Sequence, residues 1–241
     1  MVGTQSVIEI IGRTQSGITR PFQCRLDDDQ VYAVKGRDAL PRGLIAELIA
    51  AHLGREIGLP IPPFLIAEVS PALVAATEDP VFASSIEPGL GFASLWQEPI
   101  ADLTRSAISD FAPELLARVL VFDHWIRNGD RTLTELGGNA NLFVKLDTNS
   151  LVVIDHNLAF SPHHDSTDLE VHACREAWLE TKRNMLFRLE MTETCVRARD
   201  SLDELILDIP GEWTENEPGM VDQVRDTLSR IELDEFWEEL P

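Results

Sequence analysis

The chain opens with three short runs in which apolar and polar residues alternate. Residues 7–11, 19–26 and 30–35 read as strands, with Thr14-Gln15-Ser16-Gly17 and Asp27-Asp28-Asp29 turning between them. The period then changes. Residues 44–57 (LIAELIAAHLGREI) carry apolar side chains at helical spacing and stop at Gly58 and Pro60. Between 61 and 98 the pattern is mixed and rich in Pro and Gly. It resolves at 92–96, a strand leading to Gln97-Glu98-Pro99 as a hinge. Residues 113–128 (PELLARVLVFDHWIRN) predict a buried helix that ends at Asn128-Gly129. Two apolar runs, 142–146 and 151–155, flank Asp147-Thr148-Asn149-Ser150 and predict a hairpin. Helices are expected over 171–188, 192–207 and 222–240, the last with Trp237 on its apolar side. This order predicts an α+β, bilobal architecture, with a small β-rich lobe over 1–98 and a larger, mainly helical lobe over 99–241.

The polar residues interrupting this pattern fall into a chemical set. Asn128-Gly129-Asp130-Arg131 follows the buried helix, Asn139-Ala140-Asn141 precedes the hairpin, and Val153-Ile154-Asp155 ends it. Hairpin pairing is expected to set Asp155 opposite Leu142, so that a carboxamide and a carboxylate meet at one end of a sheet. Hard cations such as Mg²⁺ take oxygen ligands of this kind and keep water and substrate phosphate for the rest. Asp130 enters the same neighbourhood from the helix end. One acid to orient an attacking hydroxyl, with an amide and a second acid to hold a metal, is what phosphoryl transfer from ATP requires.

Two further residues belong with them. Lys35 ends the third strand (VYAVK), and Glu47 sits in the most apolar part of the helix that follows. A buried carboxylate there needs a partner, and Lys35 is the natural one. In the first turn Gly12, Ser16 and Gly17 would let the backbone approach a phosphate, although the same residues suit an ordinary hairpin loop. Asp123 is expected to steady the Asp130 loop by accepting backbone hydrogen bonds, and Arg131 to pair with a carboxylate. His163, His164, Asp165 and His172 match no recurrent zinc spacing.

Composition narrows the classes. The net charge is −21, and the segment from Asp200 to Pro241 alone carries 14 acids and 2 bases. Nucleic-acid binding draws on phosphate neutralisation, so direct contact with DNA or RNA is not expected. No run of 18 apolar residues exists, and the first residues (MVGTQSVIEI) lack the basic-then-apolar pattern of a signal peptide. The three scattered cysteines suit reduced thiols, and a cytoplasmic setting is the expectation.

On TQSGITRP, VYAVKGR, LIAELIAAHLGREIGLPIPP, EPGLGFASLW, VFDHWIRNGDRT, NANLFV and LVVIDHNLAF, the chain resembles the HipA-like serine/threonine kinases, in the short form that lacks the larger N-terminal subdomain. The resemblance implies a protein-kinase-like fold and transfer of the γ-phosphate of ATP, with Mg²⁺, to a serine or threonine of a protein substrate. It implies Asp130 as catalytic base, Asn139 and Asp155 on the metal, Lys35 on the phosphates, and Leu95, Trp96 and Gln97 against the adenine. It also implies a toxin with an antitoxin partner, and autophosphorylation at Ser16. Asn139 lies nine positions after Asp130 where the family pattern has a shorter gap, so Asn141 competes for the metal role. Two rival readings stay open: a small-molecule or lipid kinase on a related fold, and a pseudokinase-like interaction module.

Overall fold

A computed structural model describes residues 2–14, 21–77, 87–134 and 137–241. The Ser16 and Gly17 assignments lie outside these described residues. Strands β1 (Thr4–Arg13), β2 (Phe22–Leu26), β3 (Val31–Lys35), β4 (Phe64–Val69) and β5 (Gly89–Leu95) close into a barrel in the order β1-β2-β3-β5-β4. The sequence pattern suggests a small sheet but not its closure. β1 seals the barrel by running parallel to β4, with Thr4 beside Ile66 and Ser6 beside Glu68.

Strand alternation decides what each face does. Phe22, Cys24, Leu26, Tyr32, Val34, Leu65, Ala67 and Ala93 fill the barrel. Ile66 and Phe92, one residue out of step on the same strands, face the main core instead. That core is organised by helix α1 (Leu40–Glu56), whose residues 43–51 are all buried. Pro41 in its first turn suits a helix start, and the helix begins four residues earlier than the apolar spacing predicts.

Gly91 on β5 explains how β3 is seated. A Cβ at this position would meet the Lys35 carbonyl oxygen at 2.6 Å, so the two backbones can approach only because the side chain is absent. Gly91→Ala is expected to part β3 from β5 beside Lys35 and to cost about 1–3 kcal/mol. Chemical denaturation of the variant checks this.

Helix α2 (Pro71–Ala76), together with β4, occupies the stretch whose pattern was mixed. A second sheet, β6 (Ile100–Asp102), β7 (Leu142–Lys145) and β8 (Ser150–Val153), follows the hinge. The hairpin is present, but its register differs from expectation. Leu142 pairs with Val153, and Asp155 lies two residues past the strand end in a left-handed conformation. Asn141, also left-handed, thus becomes Asp155's near neighbour: Ile154 N–H donates to the Asn141 carbonyl at 3.2 Å.

Helix α3 (Pro113–Trp125) ends three residues before the predicted stop, because Arg127 takes the left-handed conformation that closes it. The expected helix over 171–188 is broken. A 3₁₀ turn (Ser166–Val171) and α4 (Arg175–Thr181) are followed by a fresh start at α5 (Met185–Asp200). Asn184 makes the break by accepting hydrogen bonds from the Leu186 and Phe187 N–H groups, as an N-cap does. Helices α6 (Leu202–Ile206), α7 (Gly211–Asn216), α8 (Met220–Ser229) and α9 (Asp234–Glu238) complete the chain. α1 packs against α5, α6 and α7. At its start Arg42 donates to the Phe160 carbonyl (2.8 Å) and to Gln223 (3.0 Å), and Gln223 donates to the same carbonyl (2.8 Å). Among the described residues no helix is long and apolar enough to cross a membrane.

Candidate active site

The end of β3, the middle of α1 and the turn after β8 converge on one ammonium group. Lys35 Nζ donates to Glu47 Oε1 and, at 2.6 Å, to Asp155 Oδ1. Glu47 is 2% exposed, the anomaly its sequence position suggested. Burial pushes its carboxyl up to about 6, against the pull of Lys35 and with the Asp155 charge adding to the rise. Burial alone would lower Lys35, yet the charges of Glu47 and then Asp155 hold it firmly protonated. Burial would raise Asp155, but Lys35 keeps it below the usual carboxylate range. One cation between two acids leaves a net negative site.

Asp130 stands beside this cluster. Burial, then the Asp155 charge, raises its carboxyl to about 6, with Arg131 opposing. Asn141 donates from Nδ2 to Asp130 Oδ1 at 3.3 Å, which joins the candidate base to the candidate metal amide. Asn139, two residues earlier and exposed, gives its backbone carbonyl to Thr132 N–H at 3.1 Å. Both asparagines and Asp155 line the same cavity, so the structure gathers all three predicted oxygen donors.

That cavity has a volume of about 330 Å³, at the low end for small-molecule sites. Lys35, Glu47 and Asp155 are among its charged members, with Phe92 opposite Lys35 on the neighbouring strand, and Ala33, Leu95, Trp96, Gln97 and Phe143 also line it. Leu95, Trp96 and Gln97, which the resemblance sets against the adenine, are thus part of the cavity lining. A larger depression of about 750 Å³ around Phe111, Leu133 and Glu180 contains none of the predicted site residues. The predicted site residues among those described lie at or beside the smaller one.

The scaffold beneath the site was only partly anticipated. Asp123 and Arg131 are both fully buried, with Arg131 Nε at 2.6 Å from Asp123 Oδ2. Asp123 also accepts from Asn128 Nδ2 (2.8 Å) and from His172 Nε2 (3.0 Å). The Cys174 N–H donates to His172 Nδ1 at 3.0 Å, which places the proton on Nε2. The carboxylate thus serves side chains, not the backbone donors foreseen for it. Burial opposes its charge, but Arg131 and then His172 hold its carboxyl well below the usual range.

Arg131 does more than pair. Its Nη1 donates to the Ala140 and Asn141 carbonyls at 2.9 and 2.8 Å, and its Nη2 meets His156 Nε2 at 3.1 Å. Burial, then the Arg131 charge, lowers His156 to about 3, so its ring is a neutral acceptor. One guanidinium therefore ties the Asp130 loop to the start of β7 and to the residue after Asp155. His156 and His172 were missed because their partners lie far along the chain. The available signal was Asp123, an acid inside an apolar helix.

No group of three or more His, Cys, Asp or Glu able to hold a metal occurs among the described residues. A site of one carboxylate and one or two carboxamides, with the remaining positions left to water and phosphate, still fits Mg²⁺. The cysteines are buried, free and raised by burial, so none is a nucleophile candidate.

Comparison with solved structures finds the same architecture in kinases. The Helicobacter pylori proinflammatory kinase CtkA matches with a TM-score of 0.58 at 10% identity, covering 100% of both chains. A Golgi casein kinase matches with a TM-score of 0.52 at 13% identity, over 99% of this chain and 73% of that one. The same kinase with Mn/ADP bound matches with a TM-score of 0.50 at 13% identity, over 95% and 72%. These likenesses establish a kinase-like fold. No curated protein matches the sequence. The model of the HipA-like kinases, however, matches residues 7–240, and this chain belongs to the HipA-like kinase family.

Proposed function

We propose that this kinase is an ATP- and Mg²⁺-dependent serine/threonine protein kinase. The observation that carries the reading is Lys35 held between Glu47 and Asp155 in a cavity that Asn141 also lines, with Asp130 joined to the site through its hydrogen bond from Asn141. A nucleotide and divalent metal are in keeping with the Golgi casein kinase of similar fold, solved with Mn/ADP bound.

In this reading Lys35 exchanges part of its contact with Asp155 for the nucleotide phosphates, and Glu47 keeps its ammonium aimed. Asp155 and Asn141 would hold the metal, which would supply positive charge beside the phosphates. Asp130 accepts the proton of the serine or threonine hydroxyl. The hydroxyl oxygen bonds to the γ-phosphorus as the bond to the leaving diphosphate breaks. Asn141 is preferred to Asn139 for the metal, because it is the asparagine that touches Asp130 and flanks Asp155 through Ile154.

The test is transfer of label from radioactive ATP to protein in the presence of Mg²⁺. Asn141→Ala is expected to lower kcat at least 100-fold and to raise the Mg²⁺ requirement, whereas Asn139→Ala changes both less than tenfold. A reversed order would move the metal to Asn139. Turnover only when metabolites are added would favour a small-molecule or lipid kinase. No nucleotide-induced thermal shift would leave a non-catalytic module. The family resemblance extends the proposal to a cytoplasmic toxin restrained by an antitoxin partner. Co-purification from the native host with and without the neighbouring gene product checks that extension.

A further inference from the structure

The hinge end of the cavity holds a hydrogen bond that no ligand-free pocket requires. Gln97 Nε2 donates to the Leu95 carbonyl at 2.9 Å and to the Trp96 carbonyl at 3.2 Å. Both partners are acceptors, so the amide presents its NH₂ end to them. All three residues line the cavity. Gln97 is only partly buried and is followed by two exposed residues, so its side chain has room to leave.

The chemistry of this arrangement is that of an amine on a flat, apolar-walled pocket. Leu95 and Trp96 line the cavity with Ala33 and Phe143, and their carbonyl oxygens would accept the exocyclic amine of a purine held there. Gln97 offers these carbonyls the same group, an sp² nitrogen bearing two hydrogens. We propose that the Gln97 carboxamide is an internal stand-in for the amine of adenine. It holds the hinge carbonyls while the pocket is empty, and it must swing out for an amino-bearing base to bind. This inference rests on the reading of the cavity as an ATP site, and it adds a determinant of affinity and base choice to that reading.

The consequence is a competition. In the wild type, an adenine nucleotide gains its hinge hydrogen bond only by breaking that of Gln97. A purine nucleotide lacking the amine can bind with Gln97 still in place, because nothing on the base replaces it. Removing the carboxamide should therefore favour adenine selectively.

The experiment is isothermal titration of ADP with Mg²⁺, and of the diphosphate of purine riboside with Mg²⁺, into the full chain. Wild type, Gln97→Ala and Gln97→Met are compared. Methionine keeps the length of the side chain but cannot donate, so it separates the hydrogen bond from simple bulk. Both variants are expected to bind ADP about three- to tenfold more tightly, the range of one net hydrogen bond. Binding of the amine-free analogue is expected to stay within twofold. Unchanged or weaker ADP binding in both variants would overturn the stand-in while leaving the ATP site intact. So would an equal gain for the two nucleotides, or a Met variant that behaves like wild type. Failure of wild type and variants alike to bind ADP would remove the ATP reading itself, and the stand-in with it.

Discussion

Asp130→Asn is expected to yield a protein that folds more stably than the wild type, still binds nucleotide, and transfers phosphate about 10²–10⁴-fold more slowly. The activity loss follows from position: Asp130 lies beside Asn141 and close enough to Asp155 to feel its charge. The asparagine keeps the shape and the Asn141 contact but cannot take a proton. The stability gain follows from the raised carboxyl. In the folded chain Asp130 holds its proton up to about 6, and in the unfolded chain only to about 3.8. The folded state thus binds more protons between these values. The stability linked to the group is present below the lower value and lost as the pH rises through the upper one. At neutral pH the ionised group opposes folding, and asparagine removes that cost. A two-unit shift corresponds to about 3 kcal/mol, reduced to about 1–2 kcal/mol because the side chain is partly solvated. Thermal melts at pH 7 and pH 4 check the sign: the variant gains at pH 7 and loses the advantage at pH 4. In the wild type, transfer should fall as the pH drops through about 6, since a protonated Asp130 cannot accept the hydroxyl proton. The Mg²⁺ that transfer requires offsets the Asp155 charge that raises Asp130, so the fall is expected at or below that value.

Asp123→Ala is expected to cost about 3–5 kcal/mol, because it leaves the Arg131 guanidinium buried without its counter-charge. Arg131→Met should cost a similar amount by orphaning Asp123. The double variant Asp123→Leu, Arg131→Met should recover much of that stability, since an apolar pair often replaces a buried ion pair at little cost. It should not recover activity. Arg131 also donates to the Ala140 and Asn141 carbonyls, and no aliphatic side chain can hold the start of β7 against the Asp130 loop. Denaturant midpoints and label transfer, measured on the same three variants, would part the two roles. Equal recovery of both would reduce Arg131 to packing. The acid limb has a definite sign too. Asp123 is held low in the folded chain, so its contribution is present above the ordinary carboxylate range and is lost as the pH falls below it.

Much of this site was legible because its chemistry is local. Asp130, Asn141 and Asp155 fall within one short span, and the hairpin that folds the span announces itself by two β-rich runs about a turn. Lys35 and Glu47 were legible for a different reason: an acid in an apolar helix demands a cation, and a strand-end lysine was at hand. What remained hidden depended on distance in the chain or on exact register. A two-residue difference in hairpin pairing, invisible in composition, is what gives Asn141 the place beside Asp155. The Asp123–His172 contact joins residues 49 positions apart and leaves no local trace. Closure of the barrel needed β4, whose strand-forming residues were obscured by surrounding Pro and Gly. The break between α4 and α5 turned on a single capping side chain, Asn184, inside a continuous helical pattern.

The bond from Arg42 to Phe160 and Gln223 has a consequence in time. Glu47 belongs to a helix whose flank is covered by α5, α6 and α7, and whose start is pinned through residue 223. On a ribosome, Lys35 and Glu47 emerge long before those helices do. Until residues 185–223 have been made, the carboxylate that pairs with Lys35 rides on a helix lacking these neighbours. The helix that carries Glu47 is thus expected to gain its full set of neighbours only after residue 223 has been synthesised.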